Sequence, residues 1–227
     1  MIELVIFDCD GVLVDSELIA SRVEAQLLTA AGYDISAEEL AETYAGLTFK
    51  DILLRIEQKS GIPLQASLLD TSEKLVDQKL ATDVRAIPGA GEAVMSVTCP
   101  RCVCSNSSPQ RLDLMLTATN IKPLFGANIF SSLATPTGKP KPAPDVYLHA
   151  AKTMGADTAN CFVIEDSAPG VRAAKTAGMR VIGFTGAAHS YPGHADALTE
   201  AGAETVMRRW PELNGVLSAL SQWAEDA

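Results

Sequence analysis

The sequence has no long hydrophobic run and no basic segment ahead of its first apolar stretch. A membrane-spanning helix needs about 18 or more apolar residues in succession, and no part of this 227-residue chain approaches that length. A signal peptide opens with positively charged residues, whereas the first apolar stretch here starts at Ile2 without them. We therefore expect no membrane partner, no signal peptide and a cytoplasmic location.

Positive charge is scarce as well. The chain has 18 Lys and Arg residues against 28 Asp and Glu residues, which gives a net charge of −10. A surface of that sign disfavours non-specific binding to nucleic acid or to anionic membranes. We therefore expect no nucleic-acid partner, and an anionic substrate would need locally concentrated positive groups.

Cysteine and histidine do not form a recognisable metal pattern. Cys99 and Cys102 have the C-x-x-C spacing of redox or zinc sites, but a structural zinc site needs four ligands and no second pair exists. Cys102 and the cysteines outside this pair lie in or beside apolar strand segments and are expected to be small buried side chains. The cysteines outside this pair are Cys9, Cys104 and Cys161. The three histidines, His149, His189 and His194, are scattered along the sequence and have no metal-site spacing.

What the chain does have is an acidic turn directly after a buried strand. The apolar run Met1–Phe7 suits a parallel strand that is covered on both faces. It ends in Asp8-Cys9-Asp10-Gly11, although aspartate is a poor strand former and so needs another reason to be there. Either aspartate alone would fit a helix N-cap, but the pair predicts a strand that delivers carboxylates to a site. The alternation of side chains along a strand directs Cys9 away from that site.

Residues 16–84 carry a helical pattern throughout. Ser36 with Glu39 and Thr48 with Asp51 have the spacing of capping boxes, and Gly61-Ile62-Pro63 predicts the end of a helix. We interpret this segment as a small all-helical domain inserted after the first strand.

From Pro88 onwards short apolar runs alternate with helical segments. This alternation predicts an α/β domain, formed by residues 1–15 and 85–227, in which helices flank a mostly parallel, Rossmann-like sheet. The predicted strands are Arg101–Ser105, Ala127–Ser131, Asn160–Glu165, Arg180–Phe184 and Glu204–Met207, and the predicted helices cover about 89–97, 109–119, 144–154, 169–177 and 211–223.

Three further polar stretches follow predicted strands, at the sheet edge where open parallel sheets bind ligands. Ser105-Asn106-Ser107 offers hydroxyls and backbone N–H groups to an oxyanion, although a plain turn and N-cap has the same composition. The segment 138–145 places Lys139 and Lys141 among prolines, where solvated loop charge is the ordinary alternative. Glu165-Asp166 adds carboxylates, which are the hard oxygen ligands that magnesium prefers. A solvated acidic turn would have the same sequence pattern.

Together these stretches resemble those of the haloacid dehalogenase superfamily, the aspartate-nucleophile phosphohydrolases, over nearly the whole chain. The matching stretches, in the family's order, are Asp8-Cys9-Asp10-Gly11-Val12, Ser105-Asn106-Ser107, Lys141-Pro142-Ala143-Pro144-Asp145 and Glu165-Asp166-Ser167. The resemblance implies that residues 16–84 are the family's cap domain, which closes over the core and selects the substrate.

The resemblance also implies a catalytic role for each motif. Asp8 would be the nucleophile that forms an aspartyl-phosphate, and Asp10 would be the general acid and base. Mg²⁺ would be bound by Asp8, the Asp10 carbonyl and Asp166, with Glu165 contributing directly or through water. The phosphate would be held by Ser105, Lys141 and the backbone near Asn106, with Lys139 as the runner-up for the lysine.

The expected activity is hydrolysis of a small phosphorylated metabolite, in particular a sugar phosphate. The nearest subgroup joins sugar-phosphate phosphatases with β-phosphoglucomutases, and Asp15-Ser16-Glu17 and Thr98–Asn106 resemble the bacterial 6-phosphogluconate phosphatase type. The β-phosphoglucomutases have a histidine and an arginine at the positions of Ala20 and Phe49, and this difference favours a phosphatase over a mutase. A phosphosugar mutase is the alternative hypothesis, and a non-catalytic protein that binds a phosphorylated ligand is the third. The true dehalogenases lack the aspartate found at Asp10, which disfavours dehalogenation.

Overall fold

The computed structural model describes residues 1–44, 47–64 and 66–223, and the chain separates into two compact units. Met1–Asp15 and Arg85–Ala227 form the first, here called the α/β unit, and Ser16–Val84 forms the second, the helical unit. Within the α/β unit, the Asp15 N–H donates to the Arg85 carbonyl over 2.9 Å. The two chain segments at which the helical unit is inserted are therefore hydrogen-bonded to each other.

The α/β unit is built on a six-stranded, fully parallel sheet, whose strands are β1 Leu4–Phe7, β2 Arg101–Ser105, β3 Ile129–Ser131, β4 Cys161–Glu165, β5 Arg180–Phe184 and β6 Thr205–Met207. Their order across the sheet is β3-β2-β1-β4-β5-β6. All four residues of β1 are buried, as its apolar sequence predicted. Along the chain, β1, β2 and β3 extend the sheet in one direction, and β4, β5 and β6 extend it in the opposite direction. The topological switch point therefore lies between β1 and β4.

In the described part of the helical unit, four α-helices surround an apolar cluster of its own. At both predicted capping boxes the N-cap hydrogen bond forms, since the Ser36 hydroxyl accepts the Glu39 N–H and the Thr48 hydroxyl accepts the Asp51 N–H. Gly61 ends the third helix in the left-handed conformation (φ 70°) that glycine adopts without steric cost. The helices are α1 Glu17–Ala30, α2 Ala37–Thr43, α3 Phe49–Ser60 and α4 Ser67–Asp83.

Among the described residues of the α/β unit, six α-helices cover the sheet. They are α5 Ala90–Ser96, α6 Pro109–Ala118, α7 Asp145–Met154, α8 Ala168–Thr176, α9 His194–Ala201 and α10 Leu213–Trp223. The predicted strands and helices are confirmed to within a few residues at their ends, but α9 was not predicted. It has eight residues, begins after Gly193 without a side-chain cap, and buries only His194 and Leu198, so it shows no repeating apolar stripe.

The predicted burial of the cysteines is confirmed for four of them, and Cys99 is half-buried. All five thiols are free, and Cys9 packs in the core with an exposed fraction of 0%. In the described ranges, no helix combines the length and the apolarity that a bilayer crossing requires.

Candidate active site

The acidic turn after β1 lies at the switch point of the sheet. The Asp8 N–H donates to the Ile164 carbonyl of β4 over 3.0 Å, which places Asp8 beside Glu165 at the ends of two neighbouring strands. Gly11 has a φ of 72°, and a Cβ at this position would lie 1.9 Å from Asp166 Oδ2. The turn therefore requires glycine for its backbone conformation and for its close approach to the second acidic stretch.

Lys141 joins the two acidic stretches. Its Nζ donates to Asp8 Oδ1 (2.6 Å), to Glu165 Oε1 (2.8 Å) and to the Cys104 carbonyl (2.8 Å), so that all three ammonium protons have acceptors. Burial alone would lower the pKa of Lys141, but the two carboxylates outweigh it and the pKa lies well above its ordinary value. Lys139 is exposed, so the structure brings Lys141 and not the runner-up to this group.

Glu165 is fully buried and makes four hydrogen bonds. Its Oε1 accepts from Lys141 and from the Tyr147 hydroxyl (3.0 Å), and its Oε2 accepts from the N–H and the hydroxyl of Ser167, each at 2.9 Å. A Cβ at Gly170 would lie 1.7 Å from Glu165 Oε1, so α8 has glycine where it passes this carboxylate. These contacts hold Glu165 in one orientation and, through it, the Lys141 ammonium.

Asp166 is buried and is contacted by two histidines that lie outside the predicted site. His189 Nε2 lies 3.0 Å from Asp166 Oδ2, and His194 Nε2 donates to the Asp166 backbone carbonyl over 2.6 Å. Burial raises the pKa of the Asp166 carboxyl, and the hydrogen bond from His189 opposes that rise. The positions of His189 and His194 in the sequence give no sign of their contacts with Asp166, because these contacts depend on how the chain after β5 folds back.

Three carboxylates converge closely enough to hold a metal ion. Ligand oxygens of Asp8, Glu165 and Asp166 all lie within 4.8 Å of one another, and across residues 1–44, 47–64 and 66–223 no other group of acidic, histidine or cysteine side chains does so. Burial, and then the neighbouring carboxylates, raise the pKa of Asp8 well above its ordinary value despite Lys141. This excess of buried negative charge fits a divalent cation, which would offset it.

Asp10 is fixed by two hydroxyl groups. Its Oδ2 accepts from Ser105 Oγ (3.1 Å) and from Ser107 Oγ (2.8 Å). Ser105 is a predicted phosphate ligand, whereas Ser107 belongs to the same sequence motif but was not predicted to be a site residue. The backbone carbonyl of Ser107 in turn accepts from the Ser131 hydroxyl over 2.7 Å, which ties the ends of β2 and β3 together.

Asn106 uses its side chain to hold the lysine loop. Its Oδ1 accepts the Lys141 N–H (2.8 Å) and its Nδ2 donates to the Lys141 carbonyl (3.3 Å). This paired contact fixes the backbone from which the Lys141 side chain reaches Asp8. A phosphate-binding role for Asn106 therefore stays a prediction for its backbone N–H.

The fold and this site define a protein of the α/β class that gathers carboxylates and a buried lysine at the ends of its central strands. Residues 2–178 match the family model described as haloacid dehalogenase-like hydrolase. The chain belongs to this family, as its motifs predicted, and is a phosphoric monoester hydrolase.

Individual relatives cover most of the chain. It is 31% identical to the 6-phosphogluconate phosphatase of Escherichia coli (strain K12) over 84% of this chain and 86% of that protein. A haloacid dehalogenase-like protein of unknown function from Agrobacterium tumefaciens str. C58 is 53% identical, with a TM-score of 0.93 over 97% of this chain and 100% of that one. A haloacid dehalogenase family hydrolase from Deinococcus radiodurans R1, solved with bound phosphate and sodium, is 32% identical with a TM-score of 0.83 over 96% of each chain.

Proposed function

We propose that the protein is a Mg²⁺-dependent phosphatase that hydrolyses a small sugar phosphate through an aspartyl-phosphate on Asp8. The observation that carries the proposal is the convergence on Asp8 of the Lys141 ammonium and the carboxylates Glu165 and Asp166. The name of the 6-phosphogluconate phosphatase relative supports a phosphorylated sugar or sugar acid as the substrate class.

The first half-reaction would join Asp8 to phosphorus. The Asp8 carboxylate attacks phosphorus, the bond from phosphorus to the leaving oxygen breaks, and Asp10 donates its proton to that oxygen. Lys141 neutralises charge beside Asp8 and supplies the positive charge for the phosphoryl oxygens. The Ser105 hydroxyl and the Asn106 N–H donate hydrogen bonds to those oxygens.

The second half-reaction would release phosphate. Asp10, now a carboxylate, takes a proton from water, the water oxygen attacks phosphorus, and the Asp8 carboxylate is restored. The Ser107 hydroxyl, which donates to Asp10 Oδ2, holds this carboxyl group in place for both proton transfers, while the Ser105 hydroxyl serves the phosphoryl oxygens.

The residues for the cation would be Asp8, the Asp10 carbonyl and Asp166, with Glu165 acting directly or through water. Because both oxygens of Glu165 already accept two hydrogen bonds each, its water-mediated role is favoured. Bound Mg²⁺ would offset the like charges of the carboxylate and the phosphate as they meet.

A substrate panel tests the proposed class. We expect turnover of hexose 6-phosphates and of a sugar acid phosphate such as 6-phosphogluconate, and much weaker turnover of nucleotides and phosphopeptides. A hexose 1-phosphate incubated with a trace of bisphosphate primer should yield free phosphate and not hexose 6-phosphate, which separates a phosphatase from the mutase alternative. No phosphate release from any member of the panel would refute the proposal.

Metal binding should stabilise the fold. Mg²⁺ at about 100 times its dissociation constant is expected to contribute about 2.7 kcal/mol, which corresponds to a rise in Tm of about 5–10 °C for a chain of this length. Asp166→Asn should lose most of that rise, because it removes a buried carboxylate of the cluster. Thermal melts with Mg²⁺ and with a chelator make the measurement, and equal Tm values in the wild type would contradict the metal site.

Asp10→Asn should slow phosphorylation of Asp8 by about 10²–10⁴-fold with an alkyl phosphate substrate. The loss should be much smaller with para-nitrophenyl phosphate, whose leaving group departs without a proton donor. Rapid-quench measurement of the first turnover checks this, with Asp113→Asn as a control because that carboxylate is exposed and pairs with Lys122. An equal loss on both substrates would argue against Asp10 as the general acid.

A further inference from the structure

The chain after β5 forms a structured turn that the proposed chemistry does not use. The Thr185 N–H donates to the Met207 carbonyl, and the Ser190 hydroxyl donates to the Thr185 carbonyl, both over 3.0 Å. Tyr191 stacks its ring on His194, with centroids 4.7 Å apart and an interplanar angle of 13°. The segment from Thr185 to His194 is thus held against itself and against the end of β6.

This turn places two imidazoles on a single residue, Asp166. His194, which begins α9, is buried, and its Nε2 must be the donor because the Asp166 carbonyl can only accept. Its Nδ1 faces the Ser190 hydroxyl at 3.3 Å. His194 therefore ties the backbone of Asp166 to the turn.

His189 contacts the carboxylate itself. Its Nε2 lies 3.0 Å from Asp166 Oδ2, and the imidazole is 15% exposed. A Cβ at Gly11 would lie 2.6 Å from His189 Cε1, so the imidazole also packs on the acidic turn after β1. The ends of three strands, β1, β4 and β5, meet at this contact.

We propose that His189 and His194 are positioning residues for Asp166, which together fix the orientation in which its carboxylate meets the divalent cation. His194 fixes the main chain and His189 fixes the carboxylate, so the loop after β5 controls metal affinity without supplying a ligand. Partners of this kind behind a ligand typically account for about 10–100-fold in metal affinity. The inference rests on the proposed function, because it requires a cation at Asp166.

The test is direct titration of the metal-free protein with Mn²⁺ by calorimetry. His189→Phe keeps a ring of similar size but removes the donor, and we expect it to weaken Mn²⁺ binding by about 10-fold or more. His189→Gln keeps an N–H at the position of Nε2 and should restore most of the affinity. The matched control is His149→Phe, because His149 packs its ring edge-on against Phe130, and its Mn²⁺ affinity should equal that of the wild type.

Thermal melts of the metal-free variants show whether each one is folded, and His189→Leu replaces His189→Phe if the latter does not fold. Equal affinity of the wild type and the folded His189 variant lacking the donor would overturn the inference and leave the proposed function intact. An equal loss in the His149 control would overturn it too. A wild type that binds neither Mn²⁺ nor Mg²⁺ would overturn the metal dependence of the proposed function, and this inference with it.

Discussion

Asp8→Asn is expected to abolish phosphate release, with kcat reduced by about 10⁴-fold or more. The amide has nearly the shape of the carboxylate and can still accept a hydrogen bond from Lys141, but it cannot attack phosphorus. The groups proposed to hold the phosphate remain, so substrate binding should survive the substitution better than turnover does.

The measurement is steady-state hydrolysis of para-nitrophenyl phosphate and of the best sugar phosphate, at saturating Mg²⁺. Asp113→Asn controls for the loss of one negative charge, because its carboxylate is 60% exposed. Residual activity of Asp8→Asn within tenfold of the wild type, after contaminating phosphatases are excluded, would remove Asp8 from the role of nucleophile.

Lys141→Met should impair both folding stability and activity. Its ammonium is the shared partner of two buried carboxylates, at 2.6 Å from Asp8 and 2.8 Å from Glu165. Removing one partner of a buried ion pair leaves uncompensated charge and costs about 3–5 kcal/mol. The loss of a positive group at the transferring phosphoryl group is expected to lower kcat by about 10²–10³-fold.

Lys139→Met is the matched control, because this exposed lysine lies two residues earlier in the same proline-rich segment. We expect it to change the free energy of unfolding by less than about 0.5 kcal/mol and to leave kcat unchanged. Denaturant unfolding in the presence of a chelator gives the stability, and steady-state kinetics with Mg²⁺ gives kcat. Equal effects of the two substitutions would contradict the assignment of Lys141.

Much of the fold was predictable because each local pattern agrees with the tertiary structure. The apolar runs ending at Phe7 and Ser105 correspond to strands that are buried in a parallel sheet, and the polar residues that follow them lie at the ligand-binding edge. The exception is α9, since His194–Ala201 is short and buries two side chains only. Its existence depends on the closure of the preceding turn, which no local pattern encodes.

The convergence of side chains at the candidate site was predictable where they belong to motifs that follow strands, and unpredictable where only a tertiary contact places them. Asp8, Lys141 and Asp166 belong to motifs that follow separate strands, and the structure brings them together. His189 belongs to none, and its contact with Asp166 exists because the turn after β5 folds back towards β4. Tyr147 was missed for the same reason, since its hydroxyl reaches Glu165 from the first turn of α7.

The Lys141 side chain is held in place by contacts with two other motifs. Asn106 fixes the backbone at Lys141, and Glu165 fixes the ammonium, so the charge beside Asp8 is held from both ends of one side chain. A preorganised cation of this kind does not need to reorient when charge develops on the phosphoryl group.

The most direct test of the central claim is chemical trapping of the covalent intermediate during turnover. The enzyme is mixed with Mg²⁺ and its best sugar phosphate, quenched in acid within milliseconds, and treated with borohydride, which reduces an acyl phosphate to the alcohol. Peptide mass spectrometry should then find homoserine in place of aspartate at Asp8 and at no other acidic residue. The sample must be quenched under conditions in which the phosphorylated enzyme predominates during turnover. Unmodified Asp8 in such a sample would contradict the proposed mechanism, and so would reduction at a different carboxylate.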